Sequence, residues 1–217
     1  MFISLEGPDG SGKTTQICLL YNALAAAGYN VLLTREPGGT AIGDQIRAVL
    51  HNVDNEEMVS PAEILLYSAS RAQLVAQVVR PALAAGRVVL CDRYADSTMA
   101  YQGYGRGLNQ KALRAITAFA TSGLKPDLTL LLDLDVAAGL ARRKAGGDEW
   151  NRMDRQTLEF HRRTREGYLA LAAAEPERWV RVDAAGEVDE VAAAVWEIVS
   201  GALQKRKSAL PPLLSAD

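Results

Sequence analysis

The octapeptide Gly7-Pro8-Asp9-Gly10-Ser11-Gly12-Lys13-Thr14 fills every fixed position of the phosphate-binding pattern G-x-x-x-x-G-K-[ST]. Its flanks restrict what can be built around it. Phe2-Ile3-Ser4-Leu5 reads as a short apolar strand and Thr14 to Ala27 as a helix, so strand, glycine loop and helix follow in the order such a loop requires. The glycines let consecutive backbone amides turn inward around phosphate oxygens, aided by the partial positive charge of the helix N-terminus. Lys13 adds charge where β and γ oxygens would sit, and the Thr14 hydroxyl is placed to ligate a Mg²⁺ shared with them. A nucleoside triphosphate is the first ligand to consider.

The rest of the chain alternates strand-like and helix-like segments, the pattern of a parallel sheet covered on both faces. Further strands are expected at Val31 to Thr34, Val88 to Cys91, Leu128 to Leu132 and Trp179 to Val182, all rich in Leu and Val without polar alternation. Helices are expected at Ile42 to Leu50, Ala62 to Ala84, Gln110 to Thr121, Val136 to Lys144, Thr157 to Ala174 and Val188 to Leu203. Ser60-Pro61-Ala62-Glu63 combines a hydroxyl N-cap, a first-turn proline and an acid three residues on, all helix-start devices. The expected fold is therefore α/β, a three-layer sandwich around a five-stranded parallel sheet, of the P-loop NTPase type. With 217 residues we expect one domain over residues 1–204 and a flexible tail over 205–217, where Lys-Arg-Lys precedes Pro211-Pro212.

Composition excludes several classes. No run of about 18 apolar residues suggests a membrane span, and the N-terminus lacks the basic and apolar regions of a signal peptide, so a cytoplasmic protein is expected. A net charge of −2 argues against broad nucleic-acid binding. Cys18 and Cys91 read as two buried thiols rather than a disulfide or metal site.

In such sheets ligands bind beyond the carboxyl ends of the strands. There the chain places the phosphate loop, Thr34-Arg35-Glu36-Pro37-Gly38-Gly39-Thr40, Asp92-Arg93-Tyr94 and Asp133-Leu134-Asp135. Asp92 suits a Mg²⁺ ligand, and Arg93 and Arg35 offer forked donors to an acceptor phosphate. The segment from Arg142 to Arg155 packs five cations around Gly146-Gly147 between two helices and reads as a lid over about residues 142–155.

The ordered set of motifs resembles the bacterial-type thymidylate kinases, within the P-loop nucleoside monophosphate kinases. It runs from Leu5-Glu6-Gly7 through Thr15, then Thr34 to Thr40, Leu66-Tyr67-Ser68-Ala69-Ser70-Arg71, Asp92-Arg93-Tyr94 with Ser97 and Thr98, Ala100-Tyr101-Gln102-Gly103 and Lys125-Pro126-Asp127-Leu128. The resemblance implies conversion of ATP and dTMP to ADP and dTDP with Mg²⁺, in dTTP synthesis, by a homodimer. By matching position, Gly7 to Thr14 would hold the ATP phosphates, Arg93 would face both phosphate groups, and Arg35 would place the dTMP phosphate. Asp9 would act near the sugar and phosphates of dTMP. Tyr67 would stack on thymine, Arg71 would bond its O4, Thr98 and Gln102 would lie where base-edge contacts are expected, Ser97 would belong to the substrate site, and Tyr101 would pack beneath the deoxyribose. The loop carries no cation before Lys13, so Arg142, Arg143 or Arg152 of the lid would supply the catalytic arginine.

Two other readings compete. A deoxynucleoside kinase would need a carboxylate base for a 5′-hydroxyl, a role open to Glu36. A nucleotide-dependent switch of the common GTPase kind would carry Asn-Lys-x-Asp, which the chain lacks.

Overall fold

The computed structural model describes residues 1–146 and 151–209, with the side chains of 207 and 209 outside the described set. The strands are β1 (Phe2–Glu6), β2 (Val31–Arg35), β3 (Val88–Asp92), β4 (Leu128–Asp133) and β5 (Trp179–Asp183), all parallel in the order β2-β3-β1-β4-β5. Register aligns their carboxyl ends: Asp92 stands opposite both Leu5 and Arg35. The phosphate loop, Arg35 and Asp92–Arg93 therefore emerge at one edge of the sheet.

Strand residues alternate between two buried layers. Ile3, Leu5, Leu90, Leu130 and Leu132 pack with Ile17, Leu20 and Leu24 of α1 (Lys13–Ala26) and with the last helix. Phe2, Val89 and Cys91 face Leu74, Val75 and Val79, and Leu131 and Trp179 join Tyr168 and Leu171. This is the three-layer arrangement expected. Cys18 departs from expectation: one step from the buried Ile17, it falls on the outer side of α1 and is exposed, while Cys91 is buried.

α2 (Ala41–His51) starts where the Thr40 hydroxyl accepts from the Gly43 amide at 2.9 Å. The long helix expected to end at Ala84 is α3 (Ser60–Leu74), a π-helical segment Val75–Val79 and α4 (Arg80–Ala84). Pro81 has no N–H to donate, and the widened turn before it lets the helix continue. The start of α3 corrects the capping reading: Val59 is the N-cap, no side chain caps it, and Glu63 turns inward and is fully buried.

α5 (Ala95–Thr98) and the π-helical segment Met99–Gly105 form a helical stretch that the sequence reading did not assign. α6 (Gln110–Thr121), α7 (Val136–Ala145) and α8 (Leu158–Ala174) follow as expected within a residue or so. α9 (Val188–Ala209) runs past the expected boundary at 204. Its basic end suits the C-terminal pole of a helix, and Arg206 pairs with Asp127 at 2.8 Å. Of the tail expected over 205–217, residues 210–217 lie outside the described residues.

Candidate active site

Between β1 and α1 the phosphate loop wraps Lys13. Its Nζ donates to the carbonyls of Gly7 (3.0 Å) and Pro8 (2.7 Å) and to the Ser11 hydroxyl (3.3 Å). Burial, then the neighbouring Arg93 charge, lower its pKa to about 8 against the opposing pull of Asp9, Asp92 and Glu6. Gly10 lies against Gly139 of α7 so closely that a Cβ on either residue would collide with the other segment's backbone carbonyl. The Thr14 hydroxyl donates to Asp92 Oδ2 at 2.9 Å. A hydroxyl beside a carboxylate fits Mg²⁺, which takes few protein ligands and completes its shell with water and phosphate oxygens. Among the described residues no group of three or more His, Cys, Asp or Glu side chains forms an all-protein cage.

Arg93 is the hub. It follows β3 in a left-handed backbone conformation (φ 66°), an uncommon state for a residue other than glycine, and its guanidinium reaches back across the loop. Nη1 donates to the Gly7 carbonyl (3.2 Å) and the Tyr168 hydroxyl (3.1 Å), Nη2 pairs with Asp9, and the group lies 5.0 Å from the Tyr101 ring centroid. Asp9 also accepts from the Tyr101 hydroxyl at 2.8 Å. Burial opposes its ionisation, but Arg93, Lys13, Tyr101 and His161 together hold its carboxyl below the usual value. Beneath them Glu6 accepts from the Tyr94 amide (2.7 Å), the Ser97 hydroxyl (2.6 Å) and the Tyr168 hydroxyl (3.0 Å).

The far end is built by α3 and the stretch from Ala95 to Gly105. Arg71, 1% exposed, donates Nε to Glu36 Oε2 (2.7 Å) and Nη2 to the Thr98 hydroxyl (3.0 Å) and the Tyr94 carbonyl (3.3 Å), leaving Nη1 without an acceptor. Burial raises the Glu36 carboxyl to about 7 although Arg71 pulls it down. Glu36 is thus committed to Arg71. Tyr67 is half-buried, and desolvation raises its hydroxyl to about 12.

One cavity of about 790 Å³ joins the two ends. It is lined by the loop from Asp9 through Gln16, by Arg35, Asp92, Arg93, Arg142 and Arg143, and by Tyr67, Arg71, Ser97, Thr98, Tyr101 and Gln102. Gly7 and Pro8 meet Lys13 through their carbonyls instead. Arg35 pairs only at 3.5 Å with Asp44, and both side chains are more than half exposed. Arg142 donates to the carbonyls of Ala184 (2.8 Å) and Ala185 (3.1 Å), and Arg143 to Asp154 (3.1 Å). Arg152 is set apart from the cavity lining: it is 6% exposed, pairs with Glu63 and donates to the Leu50 carbonyl at 3.0 Å. Residues 147–150 of the expected lid lie outside the described residues.

Among Asp92, Asp133 and Asp135, Asp92 lines the cavity, where Glu36 joins it from the end of β2; Asp133 is held by Arg165 (2.7 Å), and Asp135 caps α7 through the Ala137 amide at 2.9 Å. Sequence reasoning missed Glu6, Glu63, Tyr168 and His161, and also Arg47, which lines the cavity and donates to the Pro37 carbonyl at 3.0 Å. Their signal is faint. Glu6 directly precedes the loop, whereas the others sit within helices and are brought in by packing alone.

The family model described as thymidylate kinase matches residues 5–195. A thymidylate kinase from Roseiflexus sp. (strain RS-1) is 51% identical over 210 residues, covering 92% of this chain and 93% of the relative. One from Deinococcus radiodurans is 54% identical over 201 residues, covering 92% and 96%. The crystal structure of thymidylate kinase from Ehrlichia chaffeensis has a TM-score of 0.76 at 32% identity, covering 92% of this chain and 98% of that one.

Proposed function

Since the chain belongs to the thymidylate kinase family and is a dTMP kinase by its relatives, we propose that it transfers the γ-phosphoryl group of ATP to dTMP with Mg²⁺, giving ADP and dTDP for dTTP synthesis. The carrying observation is the continuity of the cavity: the phosphate loop opens into a recess containing Arg71, Tyr67 and Gln102, with Arg93 touching both the loop carbonyl of Gly7 and the Tyr101 ring.

Amides from Gly7 to Thr14 would hold the donor phosphates, and Lys13 would leave its carbonyl partners for their oxygens. Mg²⁺, held by Thr14 and Asp92, would neutralise charge on the phosphates. Arg93 stabilises charge that grows on the transferred group, and Asp9 orients it while lying near the acceptor sugar. Arg35, weakly paired, is free to take the dTMP phosphate. Tyr67 would stack on the base, Arg71 Nη1 would meet O4, Thr98 would hold Arg71 in place, and Tyr101, tied to Asp9, would pack beneath the deoxyribose. Ser97 serves this site through Glu6 and Arg93. Arg142 and Arg143, on the cavity wall, would be the lid arginines to turn toward the phosphates; Arg152, off that wall, pairs with Glu63.

The reading includes a homodimer in the cytoplasm. Phe119 on α6 and Leu65 on α3, 88% and 59% exposed, offer apolar surface for a second copy. Among the described residues no helix is long and apolar enough to cross a membrane.

A panel of acceptors with ATP and Mg²⁺ tests the assignment. dTMP should be best, dUMP weaker by the lost methyl contact, about 10- to 200-fold at most, and dCMP and dGMP close to background. Equal turnover of dTMP and dGMP would refute it.

A further inference from the structure

We infer that Glu63 determines which pyrimidine the cavity accepts, by fixing the Gln102 amide with its carbonyl oxygen toward the substrate. The inference rests on the dTMP reading and adds a positioning residue to it. Glu63 is fully buried in the first turn of α3. It receives Arg106 through two bonds, Nε to Oε1 and Nη2 to Oε2, both 2.8 Å, together with Arg152 and the Gln102 Nε2 at 2.9 Å. Burial opposes its charge, but the bonds from Arg106 and Gln102 and the charges of Arg106 and Arg152 outweigh it and hold the carboxyl below its usual value.

An ionised carboxylate can only accept. Gln102 must therefore turn its NH₂ toward Glu63, because the flipped amide would set two oxygens against each other in a site shielded from water. Its Oε1 is left over. Among the described residues that oxygen has no hydrogen-bond partner, and Gln102 is a buried residue of the cavity wall.

Arg71 supplies the complementary group. Thr98, one helical turn before Gln102, accepts from Arg71 Nη2, and Arg71 Nη1 is a buried donor without an acceptor. The wall thus offers one donor and one acceptor. Thymine and uracil present the matching O4 acceptor and N3–H donor, whereas cytosine presents an N4 amino donor and an N3 acceptor, mismatched at both. Buried groups left unpaired are what make such a pattern discriminating. Two arginines on one buried acid also acquire a reason: together they keep Glu63 ionised, and hence acceptor-only.

The test measures kcat/KM for dTMP and dCMP at saturating ATP and Mg²⁺ in the full chain. Glu63→Gln allows the Gln102 amide to turn, so the dTMP:dCMP ratio should fall at least about tenfold with KM for ATP within about twofold. Glu63→Asp should preserve the preference. In a Gln102→Leu background, Glu63→Gln should change the ratio no further, because Glu63 acts through that amide. Should Glu63→Gln alone not fold, Glu63→Gln with Arg152→Gln, which removes a stranded cation, is measured instead. A folded variant whose ratio stays within about twofold of wild type overturns the inference. A wild type that does not phosphorylate dTMP would instead overturn the underlying reading.

Discussion

Arg93 combines a left-handed backbone, an ion pair with Asp9 and a hydroxyl layer beneath it organised by Glu6. A guanidinium held this firmly is suited to stabilise charge that appears only during transfer. Arg93→Met should lower kcat by about 100- to 1,000-fold, read by steady-state kinetics on protein of unchanged thermal stability; a loss below about threefold would remove the residue from the mechanism. Glu6 carries a second prediction. Burial and the Asp96 charge raise its pKa from 4.5 to about 7, against bonds from Ser97 and Tyr94 and the charge of Arg93. The folded chain then keeps a proton that the unfolded chain releases, so the stability Glu6 contributes is complete below pH 4.5 and is lost as pH rises through about 7. His51, lowered to about 4 chiefly by burial and then by Arg47, acts in the opposite sense, so the comparison is made against Glu6→Gln. In urea unfolding, the stability of wild type relative to Glu6→Gln should fall by on the order of 2 kcal/mol between pH about 4.5 and about 7.5. A pH-independent difference would contradict the raised pKa. Arg93 was legible because it follows an apolar strand next to Asp92; Tyr168 and His161 were not, because nothing in a helical sequence marks which polar side chain points inward at a site.

At the scale of elements, the strands and most helices were readable from apolar runs and 3.6-residue spacing. The stretch Ala95 to Gly105 was not: its polar residues face inward, and the π turn interrupts the helical period that would reveal it. Glu63 shows the converse error, since an acid in a first helical turn looks like a cap until the fold presents Arg106 to it. Packing of α7 on the phosphate loop is a further feature invisible in sequence, because it depends on Gly10 and Gly139 meeting across the sheet edge. Gly139→Ala raises helix propensity yet drives a methyl into the Asp9 carbonyl. It should destabilise the fold by about 1–3 kcal/mol and raise KM for ATP, as seen by thermal unfolding and ATP titration. Unchanged values for both would mean the loop does not depend on that contact.

For the whole molecule, the parallel sheet was predictable from alternating elements, and its register brings the phosphate loop, Asp92 and Arg35 to one edge. The depth of the cavity was not predictable, since it is set by helices from distant parts of the chain converging on Arg71 and Gln102. On the dTMP reading this cavity takes a nucleotide already bearing a phosphate: Arg35 and Arg93 line it, and Glu36, the carboxylate that a nucleoside kinase would use as base, is held by Arg71. Separating the products formed from ATP, Mg²⁺ and either dTMP or thymidine tests this directly. dTDP and ADP are expected in equal amounts from dTMP, with little product from thymidine; conversion of thymidine to dTMP, with no dTDP formed from dTMP, would overturn the assignment of a phosphorylated acceptor.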